Sequence, residues 1–344
     1  MGTLRITGKV SVAQFWPSGT SDADTIQLEI EVEKNPFAYA MDDKKFTVTK
    51  VFDNAYVLGR GGRKEIIKTG KNKVSKITIR LQGIDAPELH YTAPPLKASD
   101  KITPAIRKKY NEWNEEFCQA YAEFAAHGLG SYLQKRAGKG KTHITASFYS
   151  RNIEEPADVL DTNGRFVGTV MIGKTDLNLW LARQGVVVPT FYNSMLPDEI
   201  STITKACHNG KAKKTVWNKQ VTNRCTFFQK KRLYRRPPRT YVPGSDKGKV
   251  LVPKLFRRVV NFKVEKASGV FKNNWLAYVL EKGKADTFYD LSDYLDQGVH
   301  SATVHRISDF VVKNTFTKDI SQIVFTEGPS TLKRKSNDQK IKSF

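Results

Sequence analysis

Long apolar runs are missing. Nowhere in the 344 residues does an apolar stretch approach the about 18 positions that a membrane-crossing helix needs, so no membrane span is expected. Cysteine is scarce. Cys118, Cys207 and Cys225 are odd in number, far apart, and form no C-x-x-C pair, which argues against a disulfide framework or a zinc knuckle. Histidine offers no H-E-x-x-H, and His300 and His305 stand five apart with no cysteine partner, so a zinc hydrolase has little to build on. The first residues, Met1-Gly2-Thr3-Leu4-Arg5-Ile6, lack the charged-then-apolar layout of a secretory leader. A cytoplasmic or nuclear location is expected, or secretion if a leader has been removed. Acid also runs short, with 34 Asp and Glu against 57 Lys and Arg, a formal charge of +23. That surplus favours a polyanionic partner, nucleic acid ahead of an anionic membrane surface. The bland alternative is a basic surface that serves solubility. Apolar residues make up 39% of the chain, enough for a core and too many for wholesale disorder.

What is present changes texture along the chain. Leu4, Ile6, Val10 and Val12 alternate with polar neighbours, as do Thr25 to Val32 and Val74 to Ile84, the period of half-buried strands. Residues 33–73 are rich in charge and glycine, with one extended hairpin expected over Thr47 to Val57. From Lys101 to Gln134, Trp113, Phe117, Tyr121, Phe124 and Gly128 fall at helical spacing, which predicts one long helix. Strands are expected at His143 to Tyr149 and Phe166 to Ile172, with helices at Leu177 to Gln184 and Asp198 to His208. Strands then helices over residues 1–222 imply α+β architecture, a small barrel with helices packed on it. From Lys205 to Lys254 there are fifteen basic residues and one acid. Prolines and like charges there predict an extended linker over 223–249. Residues 250–328 resume apolar texture, read as strands at Leu251 to Val264 and Trp275 to Leu280, and imply a small C-terminal β-rich or α+β domain. The basic tail, 329–344, is expected to fray.

Chemistry concentrates at strand–turn junctions. Arg80-Leu81-Gln82-Gly83-Ile84-Asp85-Ala86-Pro87-Glu88 ends a strand with two carboxylates held apart by a proline-stiffened turn. Alone, such a turn is also an ordinary structural element. Asp22-Ala23-Asp24-Thr25 and Asp161-Thr162-Asn163-Gly164-Arg165 each lead into a strand as well. Oxygen-only donors suit Ca²⁺ or Mg²⁺ and not zinc. Two guanidiniums suit a phosphate that gains charge during displacement.

These segments resemble the staphylococcal nuclease family. Its first motif, D-G-D-T followed at a distance by R-L-x-x-hydrophobic-D-x-P-E, is similar to Asp22–Leu28 and Arg80–Glu88. Its second motif is similar to Asp161 through Val170, and its helix ending in R-Q-G to Leu177–Gly185. The resemblance covers about residues 1–222. It implies an OB-fold-like five-stranded β-barrel with packed helices that hydrolyses phosphodiester bonds of DNA or RNA with little base preference. It further implies that Asp24, Asp85 and the Ala86 carbonyl hold Ca²⁺, ahead of Mg²⁺ or Mn²⁺. Glu88 would activate water, and Arg80 and Arg165 would grip phosphate. The chain departs from the pattern in four places. Ala23 replaces a glycine, insertions occupy about 33–73 and 90–118, and Thr162 and Asn163 replace a basic residue and a tyrosine. Phe191 and Tyr192 could stack a base or belong to the core. Lys230, Lys231, Arg232, Arg235 and Arg236, with Tyr234 among them, could track a nucleic-acid backbone or form a solvated tether. The alternative function is a catalytically weak or inactive nucleic-acid-binding module on the same barrel. The C-terminal domain carries no motif and could dock a protein partner.

Overall fold

The computed structural model describes residues 1–59, 62–69, 74–213, 216–217, 221–225, 248–282, 286–298, 301–328 and 330–344. Five strands close into a ring. Gly2–Ser11 pairs with Thr25–Ile30 on one side and His143–Ile153 on the other. Thr25–Ile30 pairs with Ser75–Leu81, which runs parallel to Phe166–Ile172. Phe166–Ile172 returns antiparallel to His143–Ile153 and completes the barrel. Closure leaves this ring no open edge. The period-two pattern sets the facing: Leu4, Ile6, Val10, Ile26, Leu28, Ile30, Ile77 and Ile79 all point inward and are buried. Each such side chain contributes about 1.5–3 kcal/mol. Gly168 has no room for a Cβ against the Tyr149 backbone oxygen, so glycine permits the close approach of those two strands.

Helices cover the barrel. Ala122–Ala137 buries Ala125, Leu129 and Leu133 along one stripe. Leu177–Gln184 starts where the Asp176 carboxylate accepts the Leu179 N–H at 2.9 Å and stops at Gly185, whose φ of 67° suits a residue without a Cβ. Pro197–Lys211 follows, with Asp198 and Glu199 in its first turn. The α+β barrel expected from the sequence is therefore what the chain forms. No helix among the described residues is long and apolar enough to cross a membrane.

Four local expectations need correction. The single helix expected from Lys101 to Gln134 is two, Pro104–Trp113 and Ala122–Ala137. Between them Phe117 exchanges two 2.8 Å backbone bonds with Tyr91, and Gln119 donates its N–H to the Glu88 carbonyl at 2.8 Å. Helical spacing continued through 114–121, but these partners gave the backbone a better-satisfied alternative.

The 33–73 insertion forms two hairpins, Ala38–Met41 with Lys44–Thr47 and Ala55–Gly59 with Gly62–Glu65. A short helix, Thr49–Phe52, stands where one hairpin was expected. It delivers Phe52 to within 5.2 Å of the Phe166 ring, beside Phe37.

Leu251 to Val264 and Trp275 to Leu280 are mostly helical: Pro253–Ser268 and Trp275–Lys282. Leu255, Phe256, Val259, Val260 and Val264 recur at helical spacing and are buried, and Pro253 suits the first turn.

The tail does not fray. Leu332–Arg334 pairs with Ala55–Gly59, Leu332 is fully buried, and Phe344 stacks on Tyr39 at 4.0 Å.

A second core joins segments distant in sequence. Tyr110 and Phe117 from the 90–118 insertion, and Val188 from the barrel half, pack with Phe256, Val260, Phe288 and Phe325. Phe191–Tyr192 runs parallel to Ile323–Phe325, which continues into Thr287–Asp290 and Val304–Arg306. The C-terminal region thus shares both its core and its sheet with the barrel half.

Candidate active site

The central strand of the site is Ser75–Leu81. Arg80 lies between Thr25 on one neighbouring strand and Val167 on the other, so the barrel itself sets its position. The chain then turns at Gly83, whose φ is 80°. The buried Asn178 amide pins this turn by donating to the carbonyls of Gln82 at 2.8 Å and Gly168 at 3.1 Å. Ile84 and Asp85 pair with Pro189 and Val188. The rim that follows is tied at every step. Ala86 N–H donates to Asp24 Oδ2 at 2.6 Å, Glu88 N–H to Gln119 Oε1 at 2.8 Å, and Leu89 N–H to Asp22 Oδ1 at 2.9 Å. The break at 114–121 has its consequence here, because it places Gln119 where it can hold Glu88.

Asp24, Arg80, Asp85 and Glu88 are all buried, none more than 9% exposed. The Arg80 guanidinium contacts the carboxylates of both Asp24 and Asp85, and Nη2 also donates to the Ile84 carbonyl at 3.2 Å. Burial alone would raise Asp24. The Arg80 charge and hydrogen bond, the Ala86 N–H and the Arg165 charge outweigh it and hold Asp24 below the usual carboxylate range. Asp22 goes the other way. Burial and the negative charges of Glu88 and Asp24 push it well up, against the Leu89 N–H and the Arg257 charge.

Arg165 comes from the turn before Phe166–Ile172. Asp161 organises that turn by accepting from the N–H groups of Asn163 and Arg165 and from Arg165 Nε at 2.9, 2.9 and 2.7 Å. Arg80, Asp161, Arg165 and Tyr192 line one open cavity of about 670 Å³, together with Arg257. Arg257 was not anticipated. It projects from Pro253–Ser268, and its Nε and Nη2 lie 2.7 and 2.5 Å from Glu88 Oε1. A helical reading of 253–268 would have set Arg257 beside Asn261 on one face, which was the only signal available.

Of the five positions singled out at strand–turn junctions, Arg80 and Arg165 line the cavity, while Asp24, Asp85 and Glu88 are buried behind it, the first two against Arg80 and the third against Arg257. The two aromatic candidates separate. Phe191 is fully buried in the barrel core and presents no face to a base, whereas Tyr192 lines the cavity. Burial raises the Tyr192 phenol against the opposing charges of Arg80, Arg257 and Arg165, so it keeps its proton at neutral pH. Lys230, Lys231, Arg232, Arg235 and Arg236 lie outside the described residues.

The donor chemistry fits a hard divalent cation. Asp24 and Asp85 present hard carboxylate oxygens side by side on Arg80, with Asp22 and Glu88 close by. Among the described residues no group of three or more His, Cys, Asp or Glu forms a ready cage.

Residues 78–219 match the family model described as staphylococcal nuclease homologue. The match contains Arg80, Asp85, Glu88, Arg165 and Tyr192; Asp24 and Arg257 reach the site from either side of it. No curated protein matches the chain.

Proposed function

We propose that this chain, which carries a staphylococcal nuclease homologue domain over residues 78–219, is a Ca²⁺-dependent nuclease that hydrolyses DNA or RNA with little sequence preference. One observation supports this above the others: Arg80 and Arg165 line one solvent-open cavity, and a carboxylate pair and a further acid stand directly behind it, in contact with Arg80 and Arg257. Asp24, Asp85 and the Ala86 carbonyl would hold the ion. When bound, it would supply positive charge to the phosphoryl oxygens. Arg80 and Arg165 donate to the same oxygens, for which Arg80 must turn from its two aspartates and Arg165 from Asp161. Glu88, fixed through Gln119, takes the proton of the attacking water. Tyr192 keeps its hydroxyl proton for a neighbouring phosphate. These groups address phosphate and not base edges, in keeping with low sequence preference.

The pairing of Arg80 with both aspartates, and of Glu88 with Arg257, favours one second reading: a barrel that binds nucleic acid without turnover. Incubation of supercoiled plasmid, single-stranded DNA and RNA with Ca²⁺, with and without chelator, separates the two. Cleavage that chelator abolishes is expected. Salt-sensitive binding with no cleavage at any Ca²⁺ concentration would establish the second reading instead.

A further inference from the structure

We propose that Arg257 is a third phosphate-binding arginine, delivered to the cavity by the C-terminal region and parked on Glu88 when no nucleic acid is bound. The inference rests on the reading of this cavity as a phosphodiester site. Four observations carry it. Arg257 lines the same cavity as Arg80, Arg165 and Tyr192. Its side chain is 37% exposed while Glu88 is 7% exposed, so the guanidinium lies on the solvent side of the pair. Both contacting nitrogens, Nε and Nη2, go to the single oxygen Oε1 of Glu88, and Nη1 makes no hydrogen bond among the described residues. That leaves donors for a second anion. Arg257 and Arg80 are also close enough to repel one another, an arrangement that an anion between them relieves.

The helix that carries Arg257 is anchored for such a role. One turn on from Arg257, Asn261 accepts the Tyr91 hydroxyl at 2.9 Å, so a single face of Pro253–Ser268 meets rim residues 88 and 91. Gln119 accepts the Glu88 N–H through Oε1 and donates through Nε2 to the Leu251 carbonyl at 2.6 Å. The backbone of Glu88 and the entry to the Arg257 helix thus hang on one side chain. Phe256 and Val260, both fully or nearly fully buried, lock the helix into the second core. Residues 250–325 therefore complete the site and are not an appendage to it.

The consequence is a competition. Nucleic-acid phosphate must draw Arg257 from Glu88, which frees Glu88 to accept a proton from water as the phosphate arrives. The test is fluorescence anisotropy of a labelled single-stranded DNA oligonucleotide with the full chain in chelator, where nothing is cut. Arg257→Ala should weaken binding about tenfold and reduce the slope of log K against log salt by about 0.7, one phosphate contact. Glu88→Gln should tighten binding several-fold, and that gain should vanish in the Arg257→Ala, Glu88→Gln double variant. Arg257→Gln guards against a folding defect. Unchanged affinity in both Arg257 variants, or a Glu88→Gln gain that survives loss of Arg257, would overturn the proposal. A wild-type chain that binds the oligonucleotide but never cleaves it with Ca²⁺ would sink the nuclease reading and leave the Arg257 assignment standing. No binding by the wild-type chain in chelator would overturn the Arg257 assignment, while cleavage with Ca²⁺ decides the nuclease reading by itself.

Discussion

Arg80 and Arg257 both neutralise acids at the same cavity, yet they come from regions built on different principles. Arg80 sits near the end of a strand in a closed barrel with a paired strand on each side, and its two carboxylate partners come from Asp24 and Asp85 on adjoining junctions. Its surroundings are nearly dry, with the side chain 11% exposed. Arg257 stands on a helix whose core includes Tyr110 and Phe117, and its one ion-pair partner among the described residues, Glu88, lies 169 positions away in the chain. It is 37% exposed. Strand pairing fixes the first pair locally. The second exists only if two distant segments dock, so it is the adjustable half of the site.

This difference sets an order of expected effects. The largest belongs to Arg80→Ala. It strands two buried carboxylates and removes a charge-stabilising donor, so cleavage should fall on the order of 10²-fold or more. Stability without metal should fall by about 3–5 kcal/mol in urea titration. Retained activity would remove Arg80 from the site. Next is Phe256→Ala in the second core, for which about 3–5 kcal/mol is expected from the lost ring and the cavity it leaves. Because Phe256 adjoins Arg257, oligonucleotide affinity should drop with it in the still-folded variant. A C-terminal region that melts separately in calorimetry, with site affinity untouched, would break the link between the halves. Arg257→Ala should cost about 1 kcal/mol or less, since its pair is solvated on one side; a loss as large as that of Arg80→Ala would erase the contrast.

A further effect, read against pH and not by loss of a side chain, is expected at Lys254, one turn before Arg257. Burial, reinforced by Arg258 and Arg257 and opposed by Asp286, lowers its amine from 10.5 to about 8. Between these values the unfolded chain holds a proton that the folded chain has released. Stability should therefore rise as pH increases from about 8 to 10.5. Denaturant midpoints across that window check this, and Lys254→Met should flatten the rise.

The same contrast explains what the sequence disclosed. Alternation at Leu4, Ile6, Val10 and at Thr25–Ile30 is a local signal, so the barrel was legible, and with it Asp24, Arg80, Asp85, Glu88 and Arg165 at the strand ends. Leu177–Gln184 carried its own cap at Asp176 and its own stop at Gly185, and its bounds were readable in full. The break at 114–121 was hidden because helical spacing runs through it and the partners that favour the alternative, Glu88, Tyr91, Ala93 and Leu251, lie in other segments. Phe191 was ambiguous because aromatic character alone does not distinguish a stacking platform from a buried strand residue; its pairing with Val324 settles its place. Arg257 carried no motif. Its meaning depends on a docking of Tyr110, Phe117 and Phe256 that no local period encodes.

The most direct measurement is the single-turnover cleavage rate of Glu88→Gln against wild type, on one labelled oligonucleotide at saturating Ca²⁺. If Glu88 takes the proton of the attacking water, the rate should fall on the order of 10²-fold or more while the oligonucleotide stays bound. Equal rates for the two proteins would contradict the assignment of this cavity as the place where the phosphodiester bond is broken.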